Sequence, residues 1–383
     1  MRLLITTGIF PPDIGGPATQ IEQLASDLAK NGFSVSVLTY GAPEKKARNF
    51  KLFSVSRAWP KFLRQLVFGI KTFFLAREND IIYTTDLYSP GRYSMLAARL
   101  WRKKFVVRFA GDSAWEKAFN SGLIKDNILL FQEKRYSEKI EEWKRKRAEI
   151  LKSADAVVAV SGFMKELAIE IGCEPEKVKI IYNAVDFAGP FPAAQEPARP
   201  TLVFSGRLTP WKGVSMLIRV VARLKQKYPD IVFEILGIGS EILNLKALTQ
   251  EFGIEKNINF HGQVSEQETH QIFSRSTIFV LNTNYEGLSH AILHAMAVGI
   301  PVITTPVGGN PELIRDGEDG LLAPYNNEEE WFLAIDKLLQ DKDLREKFTG
   351  KSKEVLEKFK WSELLEKTVE VFNDLFPPLE KEG

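Results

Sequence analysis

One span of the chain, residues 277–304, constrains the fold more than any other, because its pattern changes from strand to helix and back again. Residues 277–281 are a short β-branched and aromatic run with the pattern of a buried strand. Residues 288–297 put Leu288, Ile292, Leu293 and Met296 at helical spacing. Gly299 stops that helix, and residues 301–304 predict the next strand. Glu286 and Gly287 fall at the turn, where unpaired backbone N–H groups and the helix dipole favour an anion. A carboxylate beside a glycine that lets a ligand approach the backbone suits a hydroxyl-rich, phosphorylated ligand. An acid that merely caps the helix in its first turn fits the same residues.

With 383 residues the chain is too long for one ordinary core, and two domains of nearly equal size are expected. No run reaches the eighteen or so apolar residues that a spanning helix needs. The opening residues read as a first strand and not as a signal peptide. Cys173 is the sole cysteine, so no internal disulfide can form, and a cytoplasmic setting is expected. Residues 1–200 carry 31 Lys and Arg against 22 Asp and Glu, a balance of +9, and the remainder carries 20 against 27, or −7. A basic first half fits either ordinary solvated surface or peripheral contact with an anionic membrane. Residues 60–77 read as a helix with Phe, Leu and Ile on one side and Lys61, Arg64 and Lys71 among them. Core packing is its expected role, with a membrane-surface role, supported by nearby Arg99, Arg102, Lys103 and Lys104, as the alternative.

In chain order, residues 2–7 form a strand, and Gly15 and Gly16 lead into a helix with Pro17 at a first helical position. Two glycines between a strand and a helix are a place where phosphate can bind. Residues 34–39 are the next strand, so the chain opens strand, helix, strand, which implies a parallel sheet. Further strands are expected at 80–84, 105–109, 156–160 and 179–182. A polar turn is expected at 110–116, and one charged helix over about 124–152. Four prolines within 189–200 cannot continue a sheet and mark a linker. The alternation then restarts, with strands at 202–205, 231–236 and 258–260 and helices at 214–228, 241–252, 266–274 and about 328–376. Both halves read as doubly wound α/β units.

Arg207 and Lys212 follow the first strand of the second half, with Gly206 and Gly213 opening the backbone around them. Two cations above strand ends suit a diphosphate that gains negative charge as it leaves. Gly237 and Gly239 form a two-glycine turn after the strand at 231–236. Two surface cations in a loop would read the same way. Metal ligation is not expected: His290 and His294 have the i, i+4 spacing of a zinc pair, but Ala291 stands where a metalloprotease carries its glutamate. No Gly-x-Ser-x-Gly elbow follows a strand, which disfavours a Ser-His-Asp hydrolase.

Arg207 with Lys212, then Glu286, then Gly308, Gly309, Asn310, Pro311 and Glu312, and then Asp316 to Leu322, is an order that resembles the retaining glycosyltransferases of family 4. The resemblance covers nearly the whole chain. It implies the GT-B fold, two Rossmann-like domains facing each other across a cleft: 1–188 on the acceptor side, a linker at 189–200, 201–360 for the nucleotide sugar, and 361–383 as a helix packing back on the first domain. It implies that Arg207 and Lys212 hold the donor diphosphate and that Glu286 touches the sugar hydroxyls, with backbone help from Gly287, Leu288 and Ser289. Gly15, Gly16, Gly206, Gly237 and Gly239 would shape the donor site.

The resemblance also implies transfer with retention to a glycan or lipid-linked acceptor in cell-surface polysaccharide biosynthesis. No metal or other cofactor and no nucleic-acid partner are implied. Two departures stand out. His294 occupies a position where the family usually has a second glutamate that contacts ribose, and a neutral imidazole accepts one bond where a carboxylate accepts two. The first half also lacks a histidine near Ala110, which leaves Asp112 or Glu116 as acceptor-side candidates on position alone. A degenerate member that binds a nucleotide or partner without catalysis is the alternative these departures leave open.

Overall fold

The computed structural model describes residues 1–13, 16–44, 46–185, 192 and 194–376. Those residues divide into two compact units, Met1–Tyr182 with Ser362–Gly383 and Asn183–Trp361.

The first unit is a seven-stranded, all-parallel sheet in the order β3-β2-β1-β4-β5-β6-β7. Its strands are β1 (Arg2–Thr7), β2 (Ser34–Tyr40), β3 (Lys51–Val55), β4 (Ile81–Thr84), β5 (Lys104–Phe109), β6 (Ala156–Ala159) and β7 (Val178–Ile180). Between them run helices α1 (Gly16–Lys30), α2 (Lys61–Glu78), α3 (Ser89–Trp101), α4 (Ser113–Asn120), α5 (Ile128–Glu133), α6 (Glu138–Lys152) and α7 (Gly162–Ile171). Parallel strands are covered on both faces by their crossover helices, so Leu3, Leu4 and Ile5 of β1 and Ile81, Ile82 and Tyr83 of β4 are wholly buried.

The second unit repeats the plan with six parallel strands in the order β10-β9-β8-β11-β12-β13. They are β8 (Thr201–Ser205), β9 (Val232–Leu236), β10 (Ile258–Gly262), β11 (Ile278–Leu281), β12 (Val302–Thr304) and β13 (Leu321–Leu322). Its helices are α8 (Val214–Leu224), α9 (Ile242–Glu251), α10 (Glu266–Ser274), α11 (His290–Val298), α12 (Asn310–Leu313), α13 (Glu328–Gln340) and α14 (Lys342–Leu356). The last helix, α15 (Trp361–Asp374), belongs almost wholly to the first unit. There the Phe372 ring sits edge-on to Phe33 at 5.9 Å and to Tyr83 at 5.7 Å.

Three local expectations need correction. The single helix over about 124–152 is two, because Asn127 caps α5 through Leu130 N and a second start signal follows. Ser137 stands at the N-cap of α6, Glu138 and Glu141 fill its first turn, and Glu141 reaches back to accept from Tyr136 N at 2.9 Å. The polar turn at 110–116 ends at Asp112, which caps α4, so Ser113 onward is helical. The helix expected at 288–297 begins two residues later, behind an N-cap at Ser289.

Candidate active site

In an open parallel sheet, ligands bind at the carboxyl ends of the strands where the strand order reverses. In the second unit that reversal lies between β8 and β11, which are direct neighbours. The loop after β8 carries Arg207 and Lys212, and the loop after β11 carries Glu286. Lys212 Nζ meets Glu286 Oε1 in an ion pair, with only about a tenth of either side chain exposed. Asn284 N donates to Trp211 O at 2.8 Å and knits the two loops together beneath the pair. Arg207, in the same loop as Lys212, is exposed and lies over the Trp211 ring at 5.7 Å. The structure therefore pairs one expected cation, Lys212, with the carboxylate and keeps the other, Arg207, in the same loop.

Two glycines explain why the backbones can meet there. A Cβ on Gly237 would fall 1.9 Å from Gly206 O, and one on Gly308 would fall 1.9 Å from Glu286 O. Both residues have positive φ, which a side chain would strain further. Gly206 N bonds Leu236 O at 3.0 Å, Leu208 N bonds Ile238 O at 2.9 Å, and Gly309 N bonds Glu286 O at 3.1 Å. Gly206, Gly237 and Gly239 thus form one packed rim, since a Cβ on Gly239 would likewise fall 2.1 Å from Leu208 O. Sequence reading overlooked Asn282, fully buried at the end of β11. Its amide donates to Gly213 O at 3.0 Å and its Oδ1 accepts from Asn326 N at 3.0 Å, fixing the start of α8 against the loop.

Ser289, and not Glu286, caps α11 by accepting from Ile292 N at 3.3 Å. The capping role for Glu286 is thereby removed, and its carboxylate is left facing Lys212 beside the positive end of the helix. Gly287 and Leu288 bridge the two, with Leu288 O accepting from Asn183 Nδ2 at 2.8 Å. His294 turns to α10: its Nδ1 lies 2.6 Å from His270 Nε2. Burial, with the charge of His270 adding to it, pushes His294 down to about 3, so the imidazole is neutral at physiological pH.

In the first unit, Gly16 opens α1 after β1, and Gly15 lies outside the described residues. Asp112 is wholly buried; it accepts from Ala114 N at 2.9 Å and Trp115 N at 3.2 Å and pairs with buried Arg147. That is the work of a helix cap and an ion-pair anchor. Asp86, which sequence reading passed over, sits at the end of β4, the strand beside β1 at this unit's own reversal point. Burial pushes Asp86 up to about 6, opposed by the hydrogen bond from Tyr88 N and assisted by the charge of Glu116.

Two family models divide the chain between them: Glycosyltransferase Family 4 over residues 14–189 and Glycosyl transferases group 1 over residues 190–355. The chain belongs to the family 4 glycosyltransferases. This glycosyltransferase is 26% identical to an uncharacterized glycosyltransferase, MJ1069, of Methanocaldococcus jannaschii, with 98% of this chain and 99% of the other aligned. It is 27% identical to the alpha-maltose-1-phosphate synthase of Mycolicibacterium smegmatis, over 97% of this chain and 99% of the relative. Its fold matches Anabaena HepE, solved with UDP and glucose, at a TM-score of 0.80 and 18% identity, over 98% of this chain and all of that one. The architecture of the glycosyltransferase is GT-B.

Proposed function

We propose that this glycosyltransferase moves a sugar from a nucleotide-sugar donor to a glycan or lipid-linked acceptor, with retention of configuration at the anomeric carbon. The observation that carries the reading is the Lys212–Glu286 pair at the β8/β11 reversal point, with Arg207 in the same loop. In this reading Lys212 and Arg207 offset the charge that develops on the departing diphosphate. The N-terminus of α11 adds to that field, and Glu286 accepts from the hydroxyls of the transferred sugar. Positive charge comes from side chains and a helix end, so the proposed step is metal-independent. The leaving phosphate takes the acceptor proton on the face it has just vacated. Asp86, with Glu116 beside it, is the acceptor-side carboxylate of the first unit in place of Asp112. His294 is occupied by His270, so a ribose contact at that position is not part of the proposal. HepE, of like fold, was solved with UDP and glucose, which supports a nucleotide-sugar donor.

The test is release of free sugar from a panel of UDP-, GDP- and ADP-sugars without acceptor, with the anomer of the first product read by NMR. One donor is expected to turn over, giving the anomer of the donor itself. Nucleotide binding without turnover of any donor would favour the alternative of a binding protein.

We also propose that the protein works at the cytoplasmic face of a membrane, through α2 and α3. No described helix is long and apolar enough to cross a membrane. Yet on α2, Phe62 is 79% and Phe74 62% exposed, with Leu63, Leu66 and Ile70 beside them, and Leu96 and Leu100 of α3 are exposed as well. Lys61, Arg64, Arg77, Arg99, Arg102 and Lys103 lie on or next to the same two helices. An apolar face mixed with basic residues fits an anionic lipid surface. Replacing Phe62 and Phe74 together with Ser is expected to weaken binding to phosphatidylglycerol vesicles by about tenfold or more, at roughly 1.5 to 3 kcal/mol per phenyl ring fully withdrawn from water. Added salt is expected to weaken wild-type binding. Equal binding of wild type and variant in a co-sedimentation assay would remove this surface from the proposal.

A further inference from the structure

Away from the Lys212–Glu286 pair, two helices of the second unit bring together a set of donor atoms that the proposed reaction does not use. Glu266 opens α10 and His270 follows four residues later, the spacing that stacks two side chains on one face. His294 reaches them from α11, and the two imidazole rings stack at 4.9 Å with an interplanar angle of 29°. His270 Nε2 and His294 Nδ1 are 2.6 Å apart, and Glu266 Oε1 is 4.0 Å from each. All three ligand-capable atoms lie within 4.8 Å of one another.

We propose that Glu266, His270 and His294 form a binding site for a divalent transition-metal cation of the zinc type, clamping α10 to α11. Two imidazoles with one carboxylate suit a borderline ion better than magnesium or calcium, which call for oxygen ligands alone. Around a tetrahedral ion with bonds of about 2.0–2.2 Å, neighbouring ligand atoms lie roughly 3.4 Å apart. The two ring nitrogens must part by less than about 1 Å to reach that spacing, and the carboxylate must close in by about the same or less. The carboxylate is the member free to move, because the Glu266 side chain is 48% exposed while both histidines are largely buried. Two neutral rings facing nitrogen to nitrogen share one proton between them. For both to bind the ion, the ring that holds that proton carries it on its far nitrogen instead, with no change in net charge. Three protein ligands leave a fourth position for water or another small oxygen ligand.

The site rests on these three residues and stands apart from the donor reading; no step of the proposed transfer passes through it. Its effect is mechanical. It fastens the helix whose N-cap, Ser289, stands three residues beyond Glu286.

The full-length protein, stripped with a chelator and dialysed, is titrated with Co2+ and then with Zn2+. One equivalent of Co2+ is expected to give the visible absorption of a four-coordinate site, which zinc then displaces. Saturating zinc is expected to raise the thermal midpoint by several degrees. His270→Ala and Glu266→Gln are each expected to weaken cobalt binding by at least about tenfold, while His290→Ala binds as wild type. Glu266→Gln alters a half-exposed side chain, so it reads the site even if His270→Ala folds poorly. Absence of the cobalt band in wild type overturns the proposal. Undiminished binding in Glu266→Gln does so too, as does loss of binding in His290→Ala, which would assign the ion to the His290–His294 pair on α11.

Discussion

Lys212→Ala is expected to lower the rate of donor turnover by about a hundredfold or more, the scale for losing one preorganised charge from a site that stabilises a leaving group. Lys212 is held by its loop, largely buried, with its ammonium already directed at Glu286, so no ordering remains for the moment of reaction. The substitution removes that charge and also strands the Glu286 carboxylate beside the position where a diphosphate would lie, so nucleotide affinity is expected to fall together with kcat. Lys212→Arg is expected to rescue only part of the loss, because a planar guanidinium does not fill the place of a compact ammonium between the two loops. Steady-state kinetics with the donor found in the panel, together with calorimetric titration of its nucleotide diphosphate, check this. Wild-type rates in Lys212→Ala would take the donor site away from this loop.

Asp112→Ala is expected to destabilise the first unit by about 3–5 kcal/mol, since removing one partner of a buried ion pair leaves the other charge uncompensated. Arg147, 5% exposed, would be left facing the cavity, and α4 would lose its cap as well. Asp112→Asn, which keeps an acceptor for the Ala114 and Trp115 amides but not the charge, is expected to fall between. Urea unfolding of each variant measures the effect. A variant that unfolds like wild type yet transfers no sugar would return Asp112 to the chemistry of the acceptor.

The contrast between these two positions shows what could be read from the chain and what could not. The placement of Lys212, Arg207 and Glu286 was legible because each sits in a loop directly after a strand, and strand ends can be located from short β-branched runs. Once the two strands are neighbours at the reversal point, their loops must meet. The pairing of Asp112 could not be read because its partner is thirty-five residues away on α6, a separation across which sequence patterns say nothing. The same blindness hid the meeting of His270 with His294, which depends on how α10 packs against α11. Helix α3 was left unassigned, and its first residues, Ser89, Pro90 and Gly91, are of the kind that also form turns. In the fold Pro90 stands in the first helical turn, where its missing N–H costs nothing, and Gly91 is required because a Cβ would come within 2.2 Å of Asp86 O. Strand β3, at the sheet edge with only Val55 fully buried, lacks the apolar run that marks its neighbours.

Because α15 returns to pack Phe372 against Phe33 and Tyr83, residues 183–361 are an insert within the first unit, and the two flanking pieces are one inheritance. A chimera that swaps the middle block alone keeps both host segments from a single parent. One that joins two relatives at a single crossover near residue 183 pairs a borrowed tail with a foreign sheet, and it is Phe372 that must then find a new socket.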